Sequence, residues 1–145
     1  MKNMQLPLKD KASVEALIPQ KHPFVMVDKL LAFSENNLTA GIAVAPGNIF
    51  VKNNQFQESG IIEHMAQSVA LYTGYQYYLK NETPPTGYIG SVKNAEIFSL
   101  PQTGDELETH VKVLQEFGGV TLVDIATFSN GKEIATAQMK TVIAQ

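Results

Sequence analysis

Glu63 stands near the start of a long apolar segment, Glu58 to Leu79 (ESGIIEHMAQSVALYTGYQYYL), and from Ser59 onward it is the segment's only carboxylate. At helical spacing it shares a stripe with Gln67, Ala70 and Gly74. Burying an unpaired carboxylate costs several kcal/mol, roughly, so an acid in that setting calls for a reason. Two readings stand. Either the first turns reach solvent and Glu63 merely complements the positive end of the helix dipole, worth ~0.3–1 kcal/mol, or Glu63 is a general acid or base held in an apolar slot. In such a slot desolvation raises its pKa and the helix N-terminus lowers it, so the two effects compete. Gln67, one turn on, could orient the carboxylate, hydrogen-bond a substrate or cap a neighbouring backbone group.

The three histidines are the other candidates for proton transfer. His64 points about 100° away from Glu63 on a helix and is expected to fill an interface or partly buried position. His110 alternates with charged residues and is expected to be solvated. His22 lies in a turn before Pro23. It is either a packing residue of that turn or a catalytic residue reaching a cleft. The three do not have metal-ligand spacing, and there is neither a G-x-S-x-G nucleophile motif nor a phosphate-cradling glycine loop.

The elements that must position these residues are legible in outline. Lys11 to Ile18 is expected to be a short helix with Ser13 as its N-cap and Pro19 as its stop. FVMVDKLLAF (24–33) reads as a strand, with LTAGIAVAP as its hairpin partner. GNIFVKNNQFQ (47–57) reads as irregular. The 58–79 segment is apolar nearly all round, which marks a buried helix. Ala66, Ala70 and Gly74 recur on it at i, i+4 and i+8. They suit close approach of a sheet or a second helix, or one wall of a narrow tunnel.

The second half reads as strands throughout. YIGSVKNAEIF carries a kink or bulge near Lys93–Ala95. ELETHVKVLQEF alternates, with Leu107, Thr109, Val111 and Val113 facing one way. Gly118–Gly119 and the Asn-Gly of SNGK make the turns of an antiparallel meander. The expected class is α+β, a long central helix wrapped by a five- or six-stranded antiparallel sheet, in one domain spanning residues 1–145. The open sheet edges favour a dimer.

Composition narrows the function classes. The 145 residues contain no cysteine, which excludes disulfides, thiol nucleophiles and cysteine-based metal sites. A net charge of −3 gives no basic footprint for nucleic acid. The first nineteen residues lack the apolar core of a signal peptide, and no run reaches the ~18 apolar residues of a membrane span. A cytoplasmic protein is expected.

LIPQKHPFVMVDKLL, GIIEHMAQSVA, NAEIFSLPQTGDELETHVKVL and SNGKEIATAQM occur in this order. Together they resemble the hotdog-fold 3-hydroxyacyl-[acyl-carrier-protein] dehydratases, including the dehydratase-like proteins of aryl-polyene and flexirubin pigment clusters. The resemblance spans nearly the whole chain. It implies a hotdog fold with active sites between paired chains, and elimination of water from a 3-hydroxyacyl thioester. It places the family's helix acid on Glu63, its glutamine on Gln67, and the amides that polarise the thioester carbonyl at about Ser59, Gly60 and Ile61. The implied partners are an acyl carrier protein or CoA thioester and a second hotdog subunit, identical or different. No metal or redox cofactor is implied.

The sequence departs from that family at one catalytic position. The histidine expected about fourteen residues before the acid falls on Ile49, and GNIFVKNNQFQ contains no histidine. The usual Pro-Gly before the helix is replaced by Gln57-Glu58. His22 entering the site, a non-catalytic role in a heterodimeric dehydratase, and a different chemistry all remain open. Among the last is a hotdog thioesterase, which would need only Glu63, Gln67 and the helix-end amides. A purely binding or assembly subunit is a third class.

Overall fold

The computed structural model describes residues 5–144. In chain order the elements are α1 (Lys11–Glu15), β1 (Lys29–Ser34), β2 (Asn37–Ala43), β3 (Val51–Lys52), β4 (Gln55–Phe56), α2 (Glu58–Leu79), β5 (Gly87–Ile97), β6 (Glu106–Phe117), β7 (Val120–Ser129) and β8 (Lys132–Ile143). Six strands form one antiparallel sheet in the order β1-β2-β6-β7-β8-β5, and β3 and β4 make a separate small hairpin.

The alternation in β6 is as expected: Leu107, Thr109, Val111 and Val113 are buried and their neighbours exposed. β7 and β8 continue the inward face through Val123, Ile125, Ala137 and Met139. The turn chemistry explains the meander. Gly118 and Gly119 both have positive φ, as do Asn130 and Gly131 in the SNGK turn, the geometry that tight hairpins require. The expected irregularity in β5 is a register shift between Lys93 and Glu96, with Asn94 at positive φ.

α2 crosses the inner face of the sheet. Ile61, Met65, Val69, Leu71, Tyr72 and Tyr75 are all buried, and only the two ends, at Glu58–Ser59 and Leu79, are exposed. Tyr72 and Tyr75 both meet the Phe33 ring, at centroid separations of 5.4 and 4.9 Å. The Tyr72 hydroxyl donates to the Glu35 carbonyl in the β1–β2 turn. These contacts fix the C-terminal half of the helix.

Gly74 is the point of closest approach. A Cβ there would stand 1.9 Å from the Leu17 carbonyl oxygen. Gly74→Ala is therefore expected to destabilise the fold by about 1–3 kcal/mol or more, the range for overpacking, although alanine is the better helix former by about 1 kcal/mol. Urea unfolding measures this, and a midpoint that rises would show that α2 and the Leu17 segment after α1 can separate freely.

Three local expectations need correction. α1 ends at Glu15 and is capped by Asp10, not Ser13; the Asp10 carboxylate accepts from the Ser13 N–H and hydroxyl, at 3.3 and 2.5 Å. The 47–57 stretch is not wholly irregular, because Asn53 and Asn54, both at positive φ, turn β3 into β4. The strand expected from Phe24 begins only at Lys29. Phe24 to Val27 has strand-like composition, but side chains of α2 take the backbone groups of Phe24 and Met26.

The sheet edges differ. β1 is partly closed by Leu8, which exchanges two backbone hydrogen bonds with Leu30 at 2.7 and 2.9 Å. β5 ends the sheet on the other side, and Tyr88, Ile89 and Val92 on it are exposed.

Candidate active site

Gln67 is the hub of the site. It is wholly buried. Its Oε1 accepts the Met26 N–H at 2.6 Å, and its Nε2 donates to the Phe24 carbonyl and to Glu63 Oε2, each at 2.8 Å. One carboxamide thus pairs with a backbone segment much as a neighbouring strand would, and spends its remaining N–H on the acid. Both amide hydrogens are engaged, so Gln67 positions Glu63 and caps backbone; it has no N–H left for a substrate.

His64 braces the same segment from the next position on the helix. Its Nδ1 lies 2.6 Å from the Met26 carbonyl and its Nε2 2.7 Å from Thr109 Oγ1, which is itself 2.7 Å from Thr127 Oγ1. A carbonyl can only accept, so Nδ1 carries the proton, and Nε2 accepts from the Thr109 hydroxyl. The ring is fully buried, and that burial pushes its pKa down to about 4, against smaller opposing effects of the Met26 carbonyl and Asp28. His64 is therefore a neutral structural residue of the core.

The pH consequence has a definite sign. Unfolded, His64 titrates near 6.5; folded, near 4. The native state gains from keeping it neutral, and this contribution is lost as pH falls from about 6.5 to about 4. The magnitude is about 3 kcal/mol. His64→Asn is expected to be less stable at pH 7 but to show a flatter acid limb in denaturant unfolding. An unchanged slope in the variant would place the acid sensitivity elsewhere.

Glu63 is partly exposed and lines a cavity of about 460 Å³. The cavity lies between α2, the segment after α1, the Pro84–Pro85 loop and the ends of β5, β7 and β8. On the helix side Ala66, Val69, Ala70 and Thr73 continue the wall from Glu63. The small-residue stripe thus serves two ends: Ala66 and Ala70 leave room, while Gly74 permits the contact with Leu17. Glu63 is the only charged residue in the described lining. Gln20 also lines the cavity, and its Oε1 is buried without a hydrogen-bond partner among the described residues.

The other predicted residues lie around this centre in different states. Gly60 is packed so closely that a Cβ would stand 2.6 Å from both Phe50 Cβ and the Phe56 ring. The Ile61 N–H donates to the Gln57 carbonyl at 3.1 Å. Gln57 makes no side-chain cap, so the first helical N–H groups, through Ser59 and Gly60, have no intrahelical partner. Ser59, Gly60 and Ile61 do not line the described cavity. His22 is exposed and does not line it either, although it stands two residues before Phe24. His110 lies on β6, exposed and 2.9 Å from Glu108.

Ile49, where the resemblance expects a histidine, is exposed in the loop before β3. That loop abuts the Gln67 network: Asn48 Nδ2 is 3.3 Å from Met26 Sδ, and Asn48 Oδ1 accepts the Phe50 N–H at 2.8 Å. Residues 45–50 contain no titratable side chain.

The motifs behind the resemblance have structural duties. Asp28 accepts the Ala43 N–H at 3.0 Å, and Asp105 accepts the Gln102 N–H at 2.8 Å in a turn where Gly104 has positive φ. Sequence reasoning offered Gln67 as a backbone cap but did not identify the Phe24–Met26 segment as its partner; only the misfit of that segment as a strand could have hinted at it.

A family model described as ApeP-like, ApeP dehydratase, matches residues 12–145. The chain belongs to the ApeP-like dehydratase family. Among relatives of this ApeP-like chain is an uncharacterized thioester dehydrase of Halalkalibacterium halodurans, 32% identical over 142 residues and covering 90% of each chain. A 3-hydroxyacyl-[acyl-carrier-protein] dehydratase of Latilactobacillus sakei is 30% identical over 145 residues, covering 92% of this chain and 98% of the relative.

The fold matches the dehydratase heterocomplex ApeI:P of Xenorhabdus doucetiae with a TM-score of 0.86 at 16% identity, covering 97% of this chain and 93% of that one. A Streptococcus pneumoniae hypothetical thioesterase with coenzyme A matches at TM-score 0.65 and 8% identity, covering 79% and 84%. The fold is the hotdog fold, and the ApeP-like chain is 3-hydroxyacyl dehydratase-like in function. Among the described residues no helix is long and apolar enough to cross a membrane.

Proposed function

We propose that residues 1–145 act as a single domain that supplies the acid of a 3-hydroxyacyl thioester dehydratase, working with a second hotdog subunit that supplies the base. One observation carries this reading: Glu63 is oriented by Gln67 on the wall of a cavity whose described lining holds no other titratable side chain except Tyr88. Dehydration needs two proton transfers. A base removes the Cα proton, the electron pair forms the Cα–Cβ double bond, and the Cβ–O bond breaks as Glu63 gives its proton to the departing hydroxyl, which leaves as water. The thioester carbonyl is polarised by amides at the start of α2, at about Ser59 and Gly60.

The second subunit is proposed to pair along the exposed edge of β5, where backbone hydrogen-bonding groups await a further strand. The dehydratase of Xenorhabdus doucetiae with this fold is described as a heterocomplex, which supports two unlike chains. The carrier is an acyl carrier protein or coenzyme A, in the cytoplasm.

The test is enoyl formation from a 3-hydroxyacyl thioester by the pure chain, alone and mixed with a histidine-bearing hotdog subunit. Turnover only in the mixture is the expected result. Free-thiol release from an acyl thioester by the pure chain, lost in Glu63→Ala, would instead identify a thioesterase.

A further inference from the structure

The cavity has polar lining besides Glu63 and Gln20. Thr121 on β7 and Thr141 on β8 are direct cross-strand partners, and both line the cavity together with Thr73 of α2. Thr73 lies ten residues beyond Glu63 on one continuous helix. At 1.5 Å per residue Thr73 and the acid are separated by about 15 Å along the axis, the reach of an extended acyl chain of about ten to twelve carbons. Between the two the helix wall is Ala66, Val69 and Ala70.

Two of the three hydroxyls are available to donate. Thr121 Oγ1 already donates to Glu116 Oε2 at 3.3 Å and can only accept from a ligand. The Thr73 and Thr141 hydroxyls have no hydrogen-bond partner among the described residues, yet neither is a sealed-off polar atom. A threonine inside a helix commonly bonds the carbonyl one turn back; Thr73 makes no such bond among the described residues. A cavity built only for a hydrocarbon tail would gain from valine at these positions, since valine fills the same volume without a hydroxyl to desolvate.

We propose that Thr73, Thr121 and Thr141 form a specificity site for the far end of the acyl chain, and that they favour a chain ending in a hydrogen-bonding group such as a hydroxyl. The inference rests on the dehydratase reading, since it takes the same cavity for the acyl group. It goes further in assigning the tail a polar terminus and a length.

The test compares two non-hydrolysable pantetheine thioethers, one with a twelve-carbon alkyl chain and one with the same chain ending in a hydroxyl, by calorimetric titration into the full chain. The wild-type protein should bind the hydroxyl-ended chain about 3- to 10-fold more tightly, the value of one or two net hydrogen bonds. Thr73→Val and Thr141→Val should each reduce that preference without weakening the plain chain. Circular dichroism and unfolding midpoints confirm that both variants fold, and Thr73→Ser should restore the preference if Thr73→Val packs poorly.

Equal affinity of the two chains for the wild-type protein, a preference unmoved by both valine variants, or binding of neither chain overturns the proposal. The two readings fail separately. Dehydration with no terminal preference removes this inference alone, whereas a threonine-dependent preference without dehydration removes the proposed reaction and leaves the binding site standing.

Discussion

Glu63→Gln is expected to lower dehydration by the complex about 10²–10⁴-fold, the contribution of one general acid, while leaving the unfolding midpoint nearly unchanged. The substitution conserves shape. The oxygen of the new amide can still accept the Gln67 Nε2 hydrogen bond that Glu63 Oε2 accepts now. What disappears is the transferable proton. Because Glu63 is partly exposed and has no ion pair among the described residues, no buried charge is stranded by its removal. The loss should therefore fall on kcat, with KM for the thioester little altered. A variant that retains more than about a tenth of wild-type kcat would assign the acid step to another residue, and the subunit would then be a binding or assembly partner only.

Gln67→Leu is expected to lose both stability and activity, by separable routes. Leucine has similar bulk but none of the polar atoms. The Met26 N–H and Phe24 carbonyl that Gln67 now satisfies would be left inside the protein without partners. At ~1–3 kcal/mol for each stranded group, the cost is about 2–6 kcal/mol. Denaturant unfolding should show it, with a midpoint falling while the slope holds.

Activity should fall for a different reason. Glu63 loses the bond that fixes its carboxylate, and a loosely held acid spends less time at the reacting oxygen. Gln67→Met separates the two effects only weakly, because it strands the same backbone groups. A cleaner control is Gln67→Glu at a pH low enough to protonate one carboxyl, where a hydrogen bond to Glu63 can re-form and part of kcat should return. A Gln67→Leu enzyme that unfolds readily but turns over normally at low temperature would show that the acid needs no such positioning.

Much of the fold was legible in the chain because the cues are local. Period-two alternation in 106–113, glycine and asparagine at the two meander turns, and an apolar segment of 22 residues each dictate one element irrespective of the rest. The candidate acid was legible for a related reason: a lone carboxylate among apolar residues is a chemical anomaly wherever it lies. His64 was harder. Its helical angle separated it correctly from Glu63, but spacing cannot tell an interface from a core. The partners that make it a core residue, Thr109 and Thr127, lie 45 and 63 positions away.

The sequence by itself determined the α+β plan, the central helix, the meander, and Glu63 with Gln67 as neighbours one turn apart. Only the tertiary structure decided that Phe24–Val27 is not a strand, that Gln67 is spent on positioning, that His22 stays outside the cavity in one protomer, and that three threonines from α2, β7 and β8 line it. The physical reason is range. A helix turn or a hairpin is set by steric preferences within a few residues, whereas a buried carboxamide or hydroxyl takes whichever backbone or side chain the packing brings to it.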